Sequence, residues 1–160
     1  MTHRVQLSEA EVLLAGFLAT MRQSINRQAG IVNQKAGPQD PITTEQVGLY
    51  GELAFAKWAN VYPDLTTHIR TGSADAVYKG WTVDVKSTRN PHGDLYVDAR
   101  REKLADLYVL VHVNYASCEL LGWLWSSEVP SLTTSTESPY IVEQRDLNDM
   151  RYLNEIELKP

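Results

Sequence analysis

Cysteine is almost missing from this chain. Cys118 stands alone, which excludes an internal disulfide and a thiolate zinc cluster. No window holds the ~18 consecutive apolar residues that a membrane span needs. The first residues show no basic segment followed by an apolar core and a small-residue cleavage site. Together these absences lead us to expect a reducing, cytoplasmic setting with no membrane association, compatible with a bacterial or phage-encoded protein. There is no surplus of positive charge either. Fifteen Lys and Arg against twenty Asp and Glu leave a formal net charge of −5, which argues against a protein that grips nucleic acid by bulk electrostatics. Phosphate-loop and Gly-x-Gly-x-x-Gly patterns are absent, so nucleotide hydrolysis has no motif to rest on. Internal repeats and low-complexity segments are absent too.

What remains is an ordinary globular composition, 43% apolar and 22% charged over 160 residues, enough for one core and one domain. Charge is unevenly spread. Between Val12 and Gln39 the only charged residues are Arg22, Arg27 and Lys35, and the stretch Arg89 to Lys103 adds Arg100 and Arg101. Such runs are about as often plain solvated surface as binding sites.

Two helices open the chain. Ser8 and Glu11 form a capping-box pair ahead of an apolar stripe from Val12 to Ile25, and Gly30 is a stop, so an N-terminal helix is expected over about 8–29. Residues Asn33 to Pro41 read as a loop. A second helix is expected from Thr43 or Thr44, with Val47, Tyr50, Leu53, Phe55 and Trp58 inward and Asn60 and Pro63 at its end. Short β-rich runs follow at Ala74–Tyr78, Trp81–Ser87, Leu107–Val113, Cys118–Trp125 and Tyr140–Glu143, with a short helix over Asp98–Ala105. This order reads as an α/β domain with a mixed central sheet.

Ala74 to Lys86 is the most informative segment. Lys79-Gly80 fits a two-residue hairpin turn, which pairs Tyr78 with Trp81 and sets Asp75 opposite Asp84. One face is then apolar (Ala74, Ala76, Tyr78, Trp81, Val83, Val85), and the other carries Asp75, Val77, Thr82, Asp84 and Lys86. Alternating Asp and Lys usually mark only a solvated sheet face. Two directly opposed carboxylates repel, however, and a hard divalent cation would remove that penalty by taking oxygen ligands from both.

At these residues the sequence resembles the PD-(D/E)XK, or restriction-endonuclease-like, nuclease superfamily. That pattern is an acid on an early helix, an Asp on one strand, then (Asp/Glu)-x-Lys on the next. Here the matching residues are Glu52 within Gly48-Leu49-Tyr50-Gly51-Glu52, then Asp75, then Asp84-Val85-Lys86. Ala74 replaces the family's Pro. In looser form the match runs from about Thr43 to Trp125.

The resemblance implies a mixed central β-sheet flanked by helices. It implies a Mg²⁺-dependent endonuclease or exonuclease, with Mn²⁺ able to substitute, that hydrolyses phosphodiester bonds of nucleic acid, DNA foremost. Asp75, Asp84 and the Val85 carbonyl would hold the metal, with Glu52 acting directly or through water. Lys86 would orient the attacking water. Ser87, Thr88, Arg89, Asn90, His92, Arg100 and Arg101 are candidate contacts to the nucleic acid. Small nucleases that cut both strands often dimerise, so a homodimer is one assembly left open. The rival expectation is a non-cleaving module of the same fold that binds nucleic acid or a protein. His3, His68 and His112 show no ligand spacing, and Trp123, Trp125 and Cys118 read as core residues.

Overall fold

The structure, a computed structural model, describes residues 3–30, 40–67, 74–98 and 105–160. All but the two end residues of the expected helix over Asp98–Ala105, Arg100 and Arg101 among them, and most of the expected loop from Asn33 lie outside these residues.

Strand β1 (His3–Gln6) leads into α1 (Glu9–Gln28). The capping box forms as the sequence requires: Glu11 N–H donates to Ser8 Oγ (3.2 Å), and Ser8 N–H donates to the Glu11 carboxylate (2.7 Å). Gly30, at φ 74°, follows its end. Helix α2 (Pro41–Ala59) begins two residues earlier than Thr43. Asp40 is the cap, accepting from the N–H groups of Ile42 (3.1 Å) and Thr43 (3.0 Å), and Pro41 opens the first turn, where its missing N–H costs nothing. Asn60 closes the helix in the left-handed region, φ 55°.

Strands β2 (Ala76–Tyr78) and β3 (Trp81–Thr88) form the expected hairpin, with Tyr78 opposite Trp81. Lys79 and Gly80 both take positive φ (51° and 84°), the signature of a type I′ turn. Lysine is a poor choice for that backbone. It is held there because its ammonium donates to the carbonyls of Asn154 (2.6 Å) and Ile156 (2.8 Å) in the C-terminal tail.

After β4 (Leu95–Val97) come β5 (Leu107–Asn114) and β6 (Ser117–Trp125), then short elements α3 (Val129–Leu132), β7 (Tyr140–Val142) and α4 (Met150–Leu153). The main sheet has the order β1-β6-β5-β3-β2. Its neighbours are antiparallel except β3 and β5, which run parallel. The sheet is therefore mixed, within an α/β fold.

One face packs on α2, where Val83, Val85, Val109 and Val111 meet Leu49, Leu53, Ala54 and Phe55, and α1 packs on α2 in turn. The other is covered over Tyr108, Leu110 and Leu124 by a two-stranded sheet of β4 and β7 together with Val129 of α3. The two long helices thus lie to one side of the sheet, with α2 against it, and short strands with α3 cover the other. Strands β1 and β4 were not expected, being only four and three residues long, too short for alternation to register.

Candidate active site

Strand alternation divides the residues of β3 between these two environments. Val83 and Val85 enter the helix-side core, so Asp84 and Lys86 project to the opposite face. There they meet. Lys86 Nζ lies 2.9 Å from Asp84 Oδ1 and 3.0 Å from Oδ2, and each side chain is about one-third exposed (31% and 30%). Tyr108 is the parallel-strand neighbour of Asp84. Burial, reinforced by the Asp84 charge, pushes its phenol up to about 12.

Asp75 does not pair with Asp84 in the ladder. Its N–H donates to the Val83 carbonyl at 3.0 Å, although Val83 is already the partner of Ala76. Asp75 and Ala76 thus face one residue, a bulge at the end of β2. The carboxylate then accepts the N–H of Val85 at 2.8 Å. β2 has ended and β3 runs on, so Asp75 occupies the edge that a further β2 residue would have filled. Main-chain N–H and C=O of one residue in an antiparallel strand point to the same edge, so the Val85 carbonyl faces this opening as well. Asp75 and the Asp84–Lys86 pair therefore bracket Val85. The like-charge repulsion argued from the sequence is relieved within the protein, by Lys86 at one aspartate and by a backbone N–H at the other.

Glu52 sits on the helix side of the sheet. It is buried, and the Arg22 guanidinium approaches its carboxylate to 3.4 Å. Arg22 is buried too. It lies 3.9 Å from Glu45 and donates to the carbonyls of Asp64 (2.8 Å) and Thr66 (2.9 Å). Helical geometry gives the direction Glu52 takes. Tyr50, about 160° away around the helix, packs on Tyr115 at the β5–β6 turn, so Glu52 leaves α2 on the opposite side, toward Arg22 of α1.

The helix comes very close to β3 at this level. A Cβ on Gly51 would stand 2.0 Å from Ser87 Oγ, so only glycine admits the approach. Ser87 Oγ is buried there with no hydrogen-bond partner. Alternation thus turns Ser87 away from Lys86 and away from any ligand on that face.

Thr88 Oγ1 accepts the N–H of Asn90 (3.1 Å), and Asn90 Oδ1 accepts the N–H of His92 (3.0 Å), so these side chains shape the loop that follows β3. Gln144 pins that loop through the carbonyls of Pro91 (3.1 Å) and Gly93 (3.2 Å). Arg89 and His92 are exposed on it. His112 faces Glu119 across the β5–β6 ladder, 4.0 Å away. Trp123 is buried, donates to the Asp149 carbonyl (3.1 Å) and stacks edgewise with Trp125. Cys118 is buried, and burial pushes its thiol up to about 11. Trp123 and Cys118 thus lie in the core, and Trp125 packs against it.

Among the described residues, no three His, Cys, Asp or Glu side chains gather as a ready-made metal cluster. The donor set around Val85 is two carboxylates and a main-chain carbonyl. These are hard oxygen donors of the kind that Mg²⁺ and Mn²⁺ take, with waters completing the coordination.

A family model matches residues 4–130. The chain belongs to DUF5843, a family of unknown function. The matched span of this DUF5843 member takes in α1, α2, the hairpin and both long strands β5 and β6, hence every residue of the candidate site. No curated protein and no solved structure matches the chain significantly. No helix among the described residues is long and apolar enough to cross a membrane.

Arg22 and Tyr108 are the site residues that sequence reasoning missed. Arg22 was seen only as part of an acid-free run. Yet it falls four residues after Leu18 and seven after Ala15, on the buried face of α1, and a cation on such a face needs an anion to meet it.

Proposed function

We propose that this protein is a divalent-metal-dependent nuclease with a restriction-endonuclease-like core, acting on nucleic acid and foremost on DNA. One observation carries the reading. Asp75 reaches across the end of β2 to the N–H of Val85 while Asp84 and Lys86 meet on either side of that residue. An Asp at a strand end, followed by Asp-x-Lys on the neighbouring strand, supports this reading of the motif. The parallel pairing of β3 with β5 after a crossover suits the same core.

In this reading Asp75, Asp84 and the Val85 carbonyl would hold Mg²⁺ or Mn²⁺, which when bound would supply Lewis-acid polarisation of a phosphate oxygen and activation of the attacking water. Lys86 exchanges its bond to Asp84 for the attacking water and the phosphate oxygens, where a compact ammonium with three donors stabilises developing charge. Glu52, braced by Arg22, shapes the helix side of the opening. Arg89 and His92, exposed on the loop after β3, would meet the phosphate backbone in this reading. The product would carry a 5′-phosphate, as the resemblance implies.

A second reading keeps the fold without cleavage, as a module that binds nucleic acid or a protein. The pairing of Lys86 with Asp84 and of Glu52 with Arg22 favours it, since each charged group already has a partner. A panel of labelled single- and double-stranded DNA and RNA, incubated with Mg²⁺ or Mn²⁺, separates the two. Metal-dependent cleavage by the wild type and its loss in Lys86→Ala supports the nuclease. Cleavage that persists in Lys86→Ala sinks the proposed mechanism, and no cleavage on any substrate leaves the binding module.

A further inference from the structure

Helix α1 buries one side against α2, yet its outer side is not polar. Leu13 is 69% exposed, Phe17 62% and Met21 38%. They are spaced i, i+4, i+8, so they form one stripe along the helix rather than scattered apolar residues.

The stripe is palindromic in chemistry. Around Phe17, Leu13 and Met21 lie one turn to either side, at about −40° and +40°. Glu9, near the N-terminal end, and Arg27, near the C-terminal end, are eighteen residues apart, which is five full turns at 3.6 residues each. Both therefore lie on the same flank of the stripe, and both are exposed.

We infer that two copies of this chain associate through an antiparallel pairing of their α1 helices about a two-fold axis at Phe17. A two-fold that exchanges antiparallel helices keeps each flank on its own side. It sets Phe17 against Phe17, brings Leu13 level with the partner's Met21 on the other side of the seam, and sets Glu9 within about one turn of the partner's Arg27. The middle is apolar and the ends are of opposite charge, so the surface is complementary to itself when reversed. A parallel pairing would set Glu9 on Glu9 and Arg27 on Arg27. The exposed ion pairs add little affinity but fix the orientation. One helix seam is smaller than a standard interface of ~800 Å² per partner, so a weak, reversible dimer is expected. The inference stands on the outer face of α1 and does not depend on the nuclease reading.

Sedimentation equilibrium of the full chain, from micromolar to about 0.5 mM, tests it. The wild type should show a reversible monomer–dimer equilibrium, and Phe17→Glu should weaken it at least tenfold. Phe17→Cys should give a disulfide-linked dimer on mild oxidation, because Cys118 is buried and does not compete. Glu9→Lys and Arg27→Glu should each weaken the dimer, and the double reversal should restore it, with thermal melts checking the helix itself. A wild type monomeric throughout overturns the inference, as does a dimer indifferent to Phe17→Glu that fails to cross-link through position 17.

Discussion

The two faces of the central sheet treat charge in opposite ways. On the helix side, Arg22 and Glu52 are almost fully buried, and Arg22 is further fixed by the carbonyls of Asp64 and Thr66. On the other side, Asp84 and Lys86 are paired but one-third exposed. A buried ion pair cannot change partners without leaving an uncompensated charge, whereas a half-exposed pair exchanges with water or ligand at little cost. The helix side is thus built to stay as it is. The face carrying Asp84 and Lys86 is the one able to rearrange around a ligand.

The sharpest way to break this contrast is at Arg22. Arg22→Met should destabilise the fold by ~3–5 kcal/mol, the usual cost of stripping one partner from a buried pair. Chemical denaturation measures it, and a loss below ~1 kcal/mol would show that water reaches this pair as freely as it reaches Asp84.

Lys86→Ala is the matching change on the open face. Its expected effect on stability is within about 0.5 kcal/mol, while the rate of phosphodiester cleavage falls by ~10²–10³. Parallel melts and single-turnover assays check it. A large loss of stability would place Lys86 with the structural pairs.

Gly51→Ala probes the helix side through packing alone. The added methyl meets Ser87 Oγ, and an overpacking cost of ~1–3 kcal/mol is expected. Ser87→Ala in the same chain should return part of that stability by removing the oxygen. Equal melting temperatures for Gly51→Ala with and without Ser87→Ala would show that the helix simply lifts.

The smallest effect concerns the tail that straps the hairpin. Asp106 accepts from Lys159 Nζ (2.9 Å), from Thr82 N–H (2.9 Å) and from Thr82 Oγ1 (3.0 Å). The Lys159 bond first, then the Thr82 N–H, hold its carboxyl below the usual range. A depressed carboxylate contributes stability above its unfolded pKa of ~3.9 and loses it as pH falls through the lower folded value. The melting-temperature gap between wild type and Asp106→Asn should therefore be present at neutral pH and close below about pH 4. A gap constant down to pH 2 would show that the carboxylate charge is not what ties the tail down.

Much of this was legible in the sequence, for local reasons. Ser8 with Glu11 set the start of α1 because a capping box needs only four residues. Lys79-Gly80 set the hairpin register because a two-residue turn leaves one way to pair Tyr78 with Trp81. The start of α2 was misplaced because Thr43 with Gln46 imitates a cap, while Asp40 ahead of Pro41 makes a better one.

By itself, then, the sequence determined the two long helices, the hairpin, the strands β2, β3, β5 and β6 of the main sheet, and the grouping of Asp84 with Lys86 on one strand face. Each follows from turn chemistry or from period-2 and period-3.6 patterns that span a few residues. Only the tertiary structure decided that a bulge would carry Asp75 to the N–H of Val85 rather than opposite Asp84. Only it could give Glu52 its partner in Arg22, thirty residues earlier, and bury Ser87 beneath Gly51. Those outcomes depend on how α1, α2 and the sheet edge meet, and the burial of charge there sets which groups must pair. No local pattern contains that information.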